Sequence, residues 1–271
     1  MAHAVSETMG RKRVIEFAVG KIPMKLSSEL ECENVPTAIG SESWGPELAR
    51  IRQAYARRES PSRYSLSEPA HLFAIQERER EVLRRLAAQG WASLDKVRVL
   101  EIGCGTGGWL RDFVRWGGRP ENLRGVDLLP ERIAEARRLC PAGVTLECGN
   151  AAELEIATGS QDLVLQSTVF TSILDAELKR RMAREMLRVL APGGVVLWYD
   201  FCVNNPWNSD VRGIGRAEIR QLFPGCRIDL RRLTLAAPLA RSVARLSPLA
   251  YQFLSGLKLG ATHYLGVIRP A

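Results

Sequence analysis

The sequence is poor in the residues that build metal centres and covalent cross-links. Its 271 residues include three His and six Cys. Cys32, Cys104, Cys140, Cys148, Cys202 and Cys226 are scattered, and no C-x-x-C pair occurs. A zinc centre needs clustered Cys and His, and a disulfide framework needs closely spaced Cys, so neither is expected and no metal ligands are assigned. Isolated thiols suit a reducing compartment. No run of ~18 apolar residues exists, which excludes a membrane-spanning helix. The apolar stretches of the first thirty residues are too short and interrupted for a secretory signal, so a cytoplasmic protein is expected. Acidic residues are sparse at one end. Residues 211–271 hold ten Lys/Arg against two Asp/Glu, which accounts for the whole formal charge of +8. That asymmetry points to an anionic partner or to a solvated basic face.

What is present reads as an ordinary globular chain, with 46% hydrophobic and 25% charged residues, and wholesale disorder is excluded. Residues 1–45 mix short apolar stretches with Gly, Pro, Ser and charge, and are expected to form a poorly ordered leader. Residues 46–60 and 67–89 have helical spacing and are expected to form an N-terminal helical cap over 46–92. From residue 93 to 271 short β-branched runs alternate with helical segments. Strands are expected at VRVLEIG, 123–129, 144–150, 162–168, 195–201, 226–235 and 262–268. Helices are expected at 108–116, 130–139 and 175–190. Such alternation predicts an α/β fold: a Rossmann-like, seven-stranded, mostly parallel sheet with helices on both faces.

The first strand ends in Glu101-Ile102-Gly103-Cys104-Gly105-Thr106-Gly107. Glycines there let the chain turn sharply and let a ligand approach the backbone. The following helix offers free N–H groups. Gly103, Gly105 and Gly108 also fit the dinucleotide pattern G-x-G-x-x-G. Asp127 ends the second strand, where a carboxylate can accept both ribose hydroxyls of an adenosine. Glu101 stands two residues before the first glycine. Its charge is awkward beside a pyrophosphate and suits a ligand carrying an ammonium and a sulfonium.

These motifs resemble those of the class I S-adenosylmethionine-dependent methyltransferases, in particular the small-molecule type (methyltransferase type 11-like). The strand-one motif of that family, apolar-apolar-acid-apolar-Gly-x-Gly-x-Gly, reads VLEIGCGTG here. Asp127, followed by Leu128, matches the second-strand acid, and Gly149-Asn150-Ala151 resembles the Gly-Asp-Ala of the third-strand loop. Asn150 departs from that Asp, but an amide still offers hydrogen bonds to an adenine. Gln166 and Ser167 match the end of strand four, and Leu187–Gly194 the turn before strand five. The resemblance implies S-adenosylmethionine as cofactor and S-adenosylhomocysteine as product. It implies Glu101, Gly103, Gly105, Gly107, Asp127, Leu128, Asn150, Ala151, Gln166 and Ser167 as its binding residues. A nicotinamide oxidoreductase is the weaker reading, since no Tyr-x-x-x-Lys is present. A cofactor-binding adaptor without catalysis, docking through its basic C-terminal face, is a third.

Methyl transfer needs an acceptor held in line and, for an alcohol, loss of a proton. In open α/β sheets ligands bind at the carboxyl ends of the strands. Asp200 ends strand five and is the first choice for general base, its alternative being a carboxylate that orders the loop. His263, beside Tyr264, is the second. Tyr199, Asn204, Asn205, Trp207 and Arg212 make a polar and aromatic acceptor loop, with Tyr264 and Tyr64 as further contacts. Tyr55 and Trp109 serve as lid and wall, or as packing. Asn205-Pro206-Trp207 resembles part of the motif of amino-methyltransferases, but that motif belongs at strand four, so nucleic acid is not expected as the substrate.

Residues 236–261 are a helical insertion between the last two strands. Leu239, Val243, Leu246, Ala250, Phe253 and Leu257 recur every three to four residues, with Arg241, Arg245 and Lys258 between them. The insertion is either a lid packed on the sheet or a surface that touches a membrane or a lipid-linked acceptor. The expected reaction is methylation of a hydroxyl on a small-molecule, sugar or lipid-linked acceptor, in the cytoplasm or peripherally at the inner membrane face.

Overall fold

In the computed structural model the described residues are 44–57, 65–206 and 208–271. The leader expected over 1–45 falls almost wholly outside them, as do Tyr64 and Trp207. Two helices precede the sheet: α1 (Gly45–Ala56) and α2 (Pro69–Ala87), each with a proline in its first turn, where the missing N–H costs nothing. Strands and helices then alternate as β1 (Val99–Ile102), α3 (Gly108–Arg115), β2 (Leu123–Asp127), α4 (Pro130–Leu139), β3 (Thr145–Cys148), β4 (Gln161–Ser167), α5 (Ala176–Val189) and β5 (Leu190–Phe201). Helix α6 (Arg216–Leu222), strand β6 (Cys226–Leu235), α7 (Ala237–Leu246), α8 (Pro248–Leu257) and β7 (Ala261–Pro270) complete the chain.

The strands form one seven-stranded sheet in the order β3-β2-β1-β4-β5-β7-β6. The first five run parallel, and β7 is antiparallel to both β5 and β6. The apolar runs of the central strands are buried on both faces, as a helix-covered parallel sheet requires. Leu100, Ile102, Val164, Val196 and Trp198 face one layer, with Leu178, Met182 and Met186 of α5 and Ile51 of α1. Val99, Leu163, Leu165, Val195, Leu197 and Tyr199 face the other, with Val82 and Leu86 of α2 and Leu110 and Phe113 of α3.

Two differences from the sequence reading concern boundaries. Helix α6 was not expected, its seven residues being too few for a periodic signal. The turn expected at Leu187–Gly194 is divided between the end of α5 and the start of β5, where residues 190–194 form an irregularity in the pairing with β4 between Gln161 and Leu163. Gly193 takes φ 78 there and sits exposed, so the chain absorbs extra residues without leaving the sheet. In the insertion, Pro238 and Pro248 each stand in a first turn, and the Ser247 side chain caps α8 by accepting from the N–H groups of Leu249 and Ala250.

Candidate active site

The strand order reverses between β1 and β4, and ligands of open α/β sheets bind outside such a point. A cavity of about 460 Å³ opens there, within the usual size range for small-molecule sites. Gly103 and Gly105 after β1, Asp127 and Leu128 at the end of β2, Asn150 and Ala151 after β3, and Ser167 at the end of β4 all line it. These residues were singled out from separate motifs, and the topology converges them on one space.

The glycine loop owes its path to the missing side chains. Gly103 has φ +67, and a Cβ there would collide with the Val169 side chain. Gly107 has φ +74, and a Cβ would collide with Cys140 Sγ. Gly107 therefore shapes the loop and does not itself line the cavity. Asp127 fixes the same loop from the second strand. Its Oδ2 accepts from the Gly105 N–H at 2.7 Å and its Oδ1 from the Leu129 N–H at 3.0 Å. A carboxylate offers about four acceptor positions, so hydroxyl groups can still be received. Burial pushes the Asp127 carboxyl above its usual range, against the opposing pull of those two N–H bonds.

Glu101 is 2% exposed and points to the α2–α3 side of the sheet, beside the cavity wall rather than in it. Burial raises its carboxyl well above the usual range, and the neighbouring Asp127 charge adds to this. Its Oε2 has no hydrogen-bond partner. Gln166 is fully buried; its Oε1 accepts from the Val169 N–H at 3.2 Å while its Nε2 is unpartnered. Buried polar atoms are seldom left unmatched, so an acceptor and a donor here are both short of a partner. Asn150 Oδ1 accepts from the Ala152 N–H at 3.0 Å, turning the loop and leaving its amide N–H groups to donate. Ile102, Val126, Leu128 and Ala151 supply an apolar wall. The set fits S-adenosylmethionine: an apolar wall for a flat base, a carboxylate for hydroxyls, and amide N–H groups of Asn150 to donate to the base.

Several lining residues were missed in the sequence. Helix α1 brings Leu48 and Ile51 to the cavity beside Tyr55, which the sequence reads as a lid or as packing, and α4 brings Arg132, whose guanidinium lies 5.2 Å from the Tyr55 ring. Helix α1 is clamped to the loop after β4. Glu47 accepts from the N–H groups of Leu174 and Asp175, Arg50 donates to Ser172 O at 2.6 Å, and the Tyr55 hydroxyl is 3.3 Å from Ser172 Oγ. Thr168, also on the wall, takes φ 56, an unfavourable conformation for a β-branched residue. No local pattern announces these contacts, because each joins segments far apart in the chain.

The acceptor-side candidates do not converge. Asp200 is fully buried and does not line the cavity. It accepts from Thr171 Oγ1 at 2.7 Å, from the Thr171 N–H at 3.2 Å and from the Phe201 N–H at 2.9 Å. Burial lifts it to about 6 despite these bonds. This geometry favours the alternative reading of Asp200, a carboxylate that orders the loop, over that of a general base. His263 pairs in register with Phe201, stacks on Tyr199 with ring centroids 4.7 Å apart, and lies with it on the face opposite to Asp200. One proton cannot be shared between the two. Burial, with the Arg78 charge nearby, lowers His263 to about 3, so it is neutral at pH 7.

Arg78 of α2 lies over Trp109 at 4.5 Å and over Tyr199 at 5.5 Å, so this face gathers Glu101, Arg78, Trp109, Tyr199 and His263. Of the remaining candidates, Asn204 Oδ1 accepts from the Gly213 N–H and staples its own loop. Arg212 pairs with Glu218 at 2.9 Å. Tyr264 packs on the opposite face, near the guanidinium groups of Arg216 and Arg232. Asn205 sits on the exposed loop and receives the Asn208 N–H on its carbonyl. Among the described residues no cluster of His, Cys, Asp and Glu could hold a metal ion.

Comparison with known proteins agrees with this geometry. Residues 99–194 match the family model of a methyltransferase domain. A 2-methyl-6-phytyl-1,4-hydroquinone methyltransferase of Synechocystis is 32% identical over 117 residues, covering 41% of this chain and 35% of that protein. A fatty-acid O-methyltransferase of Mycolicibacterium smegmatis is 34% identical over 116 residues, covering 40% and 39%. The chain thus spans well under half the length of these relatives. In fold, a candidate sarcosine dimethylglycine methyltransferase from Galdieria sulphuraria superposes with a TM-score of 0.57 at 17% identity, over 82% of this chain and 98% of that one. The cavity at the switch point, the motifs in order along the sheet and the family match identify residues 99–194 as a methyltransferase domain of the class I S-adenosylmethionine-dependent type.

Proposed function

We propose that the protein transfers the methyl group of S-adenosylmethionine to a hydroxyl of a lipophilic or lipid-linked small molecule. The observation that carries the cofactor half is the cavity in which the Asp127 carboxylate and the glycine loop meet an apolar wall. Bound there, S-adenosylmethionine supplies an electrophilic methyl together with its own leaving group. The chain's residues would do the rest by holding and excluding. Asp127 receives ribose hydroxyls, Leu128 and Ala151 flank the base, and the amide of Asn150 donates to it. Burial and the Asp127 charge hold the Glu101 carboxyl well above its usual range despite Arg78 nearby, and a further positive charge on a ligand at the adjoining cavity would favour its ionised form. Helix α1 shields the space from water.

For the acceptor we favour the α2 side, where Arg78, Trp109, Tyr199 and His263 form an apolar, aromatic wall with one cation beside Glu101. A neutral His263 accepts a hydrogen bond from a hydroxyl and orients it, with Nδ1 fixed by Thr262 Oγ1 at 2.9 Å. Two relatives named for a fatty acid and for a phytyl hydroquinone support a lipophilic acceptor.

The test is a partition assay. Purified protein is incubated with methyl-labelled S-adenosylmethionine and cell extract, then separated into lipid and aqueous phases, with Asp127→Ala as control. Label in the lipid phase that the control lacks is the expected result. Label confined to water-soluble products rejects the lipophilic acceptor, and no label above control rejects methyl transfer.

A further inference from the structure

The helical insertion faces the opposite way from a packed lid. Its inner side is Ala240, Val243 and Ala244 of α7 with Tyr251 and Leu254 of α8, which pack on Ala70 and Phe73 of α2, and Ser255 of α8 is buried beside them. Tyr251 lies with its ring centroid 5.1 Å from that of Phe73, and Ser255 and Lys258 both bond to Glu77. Most of the large apolar residues, whose helical spacing in the sequence fits either a packed lid or a membrane-touching surface, are outside. Leu246 is 84% exposed, Leu249 75%, Phe253 68%, Leu257 49% and Leu259 64%. Leu249, Phe253 and Leu257 recur every four residues, so they form one ridge along α8. Helix α8 contains no charged residue at all, and residues 236–261 contain Arg241, Arg245 and Lys258 but no Asp or Glu.

A surface that is apolar at its crest, basic at its flank and free of acid has one complementary partner among common surfaces: an anionic bilayer. The placement agrees. β6 ends and β7 begins at the carboxyl end of β5, because Leu235 pairs with Ala261 and Phe201 with His263. The insertion therefore leaves the sheet at the edge that carries the cavity mouth. Phe201 and Val203, 39% and 38% exposed, stand at the same edge of the sheet. We propose that the outer face of α7–α8 is a membrane-docking surface. It sinks Leu246, Leu249, Phe253, Leu257 and Leu259 into the headgroup–acyl boundary of an anionic bilayer, with Arg241 and Arg245 against lipid phosphates. The inner face of the same helix pair lines the α2 side, so docking brings the acceptor wall to the lipid surface. This second part rests on the proposed methyl transfer to a lipophilic acceptor; the docking itself does not.

The test is flotation of the full chain with vesicles of phosphatidylcholine alone or mixed with phosphatidylglycerol. Wild type is expected to float with the mixed vesicles and to bind the neutral ones at least about tenfold less. Leu249→Ser with Phe253→Ser should abolish flotation, and Arg241→Gln with Arg245→Gln should remove the preference for anionic lipid. S-adenosylhomocysteine binding, followed by calorimetry, should be unchanged in all these variants, since none of the four residues lines the cavity. Wild type that stays unbound to mixed vesicles, or a serine variant that floats as well, overturns the proposal. A wild-type dimer that the serine variant converts to monomer, with no flotation, overturns it in favour of a contact between copies. Wild type that stays unbound to the mixed vesicles yet binds S-adenosylhomocysteine tells against docking alone; wild type that floats without that binding tells against the cofactor assignment alone.

Discussion

At the scale of single residues, the carboxylates divide by what satisfies them. Asp127 serves the glycine loop and the ligand together, through the Gly105 and Leu129 N–H groups. Asp127→Ala should therefore weaken S-adenosylhomocysteine binding by about ten- to a hundredfold, since a charged hydrogen bond is worth roughly 1.5–3 kcal/mol; isothermal calorimetry measures this. Asp200 is raised by burial from 3.8 to about 6. A carboxyl whose folded value is raised binds its proton more tightly when folded. Its contribution to stability is thus full below about 3.8 and lost as pH rises through about 6. The Tm of Asp200→Asn relative to wild type should climb across that window and level off above it. His263 lies near 3, too weak a base for large Brønsted catalysis. His263→Ala should lower kcat by about tenfold, less than the 10²–10⁴ of a true general base, and the wild-type kcat profile should show no inflection from it between pH 5 and 8.

At the scale of elements, the loop after β4 is a joint held from two sides. Helix α1 grips it through Glu47 and Arg50, and Asp200 of β5 grips it through Thr171. Thr171→Val removes the hydroxyl that satisfies a buried carboxylate, and should cost about 1–3 kcal/mol in denaturant unfolding. Glu47→Ala leaves the Leu174 and Asp175 N–H groups without their acceptor and loosens α1 over the cavity. We expect faster S-adenosylhomocysteine release, by about three- to tenfold in stopped flow, with little change in association. The elements differ in how legible they were. Strands β1, β4 and β5 are near-continuous apolar runs between glycines and turns, which in a parallel sheet is what burial on both faces demands. The α8 ridge was legible as a helix but not as an outside: periodicity finds a stripe and does not say what covers it. The opposed faces of Asp200 and His263 follow from strand alternation together with the pairing of β5 and β7, and that pairing joins residues about sixty apart in the chain.

At the scale of the whole molecule, one sheet edge carries both proposed activities. The cofactor cavity lies at the carboxyl ends of β1 to β4, and the insertion leaves the sheet at the same edge between β6 and β7. Ligand binding should be felt globally, because the cavity joins both helical layers. S-adenosylhomocysteine at about a hundred times its Kd should stabilise the fold by about 2.7 kcal/mol, or roughly 5–10 °C in Tm, measured by scanning calorimetry.

The sequence by itself determined the α/β class and the strands. It also determined the glycine loop and the acids at the ends of β1 and β2, because these depend on local hydrophobicity and on backbone freedom within a few residues. Tertiary structure alone decided that α1 and Arg132 complete the cavity and that Asp200 is buried in the hydrogen bonds of a loop, off the cavity wall. It also decided that the apolar stripe of α8 points outward. Those outcomes turn on which distant segment reaches a buried polar atom or an apolar face first, and chain spacing carries no record of that.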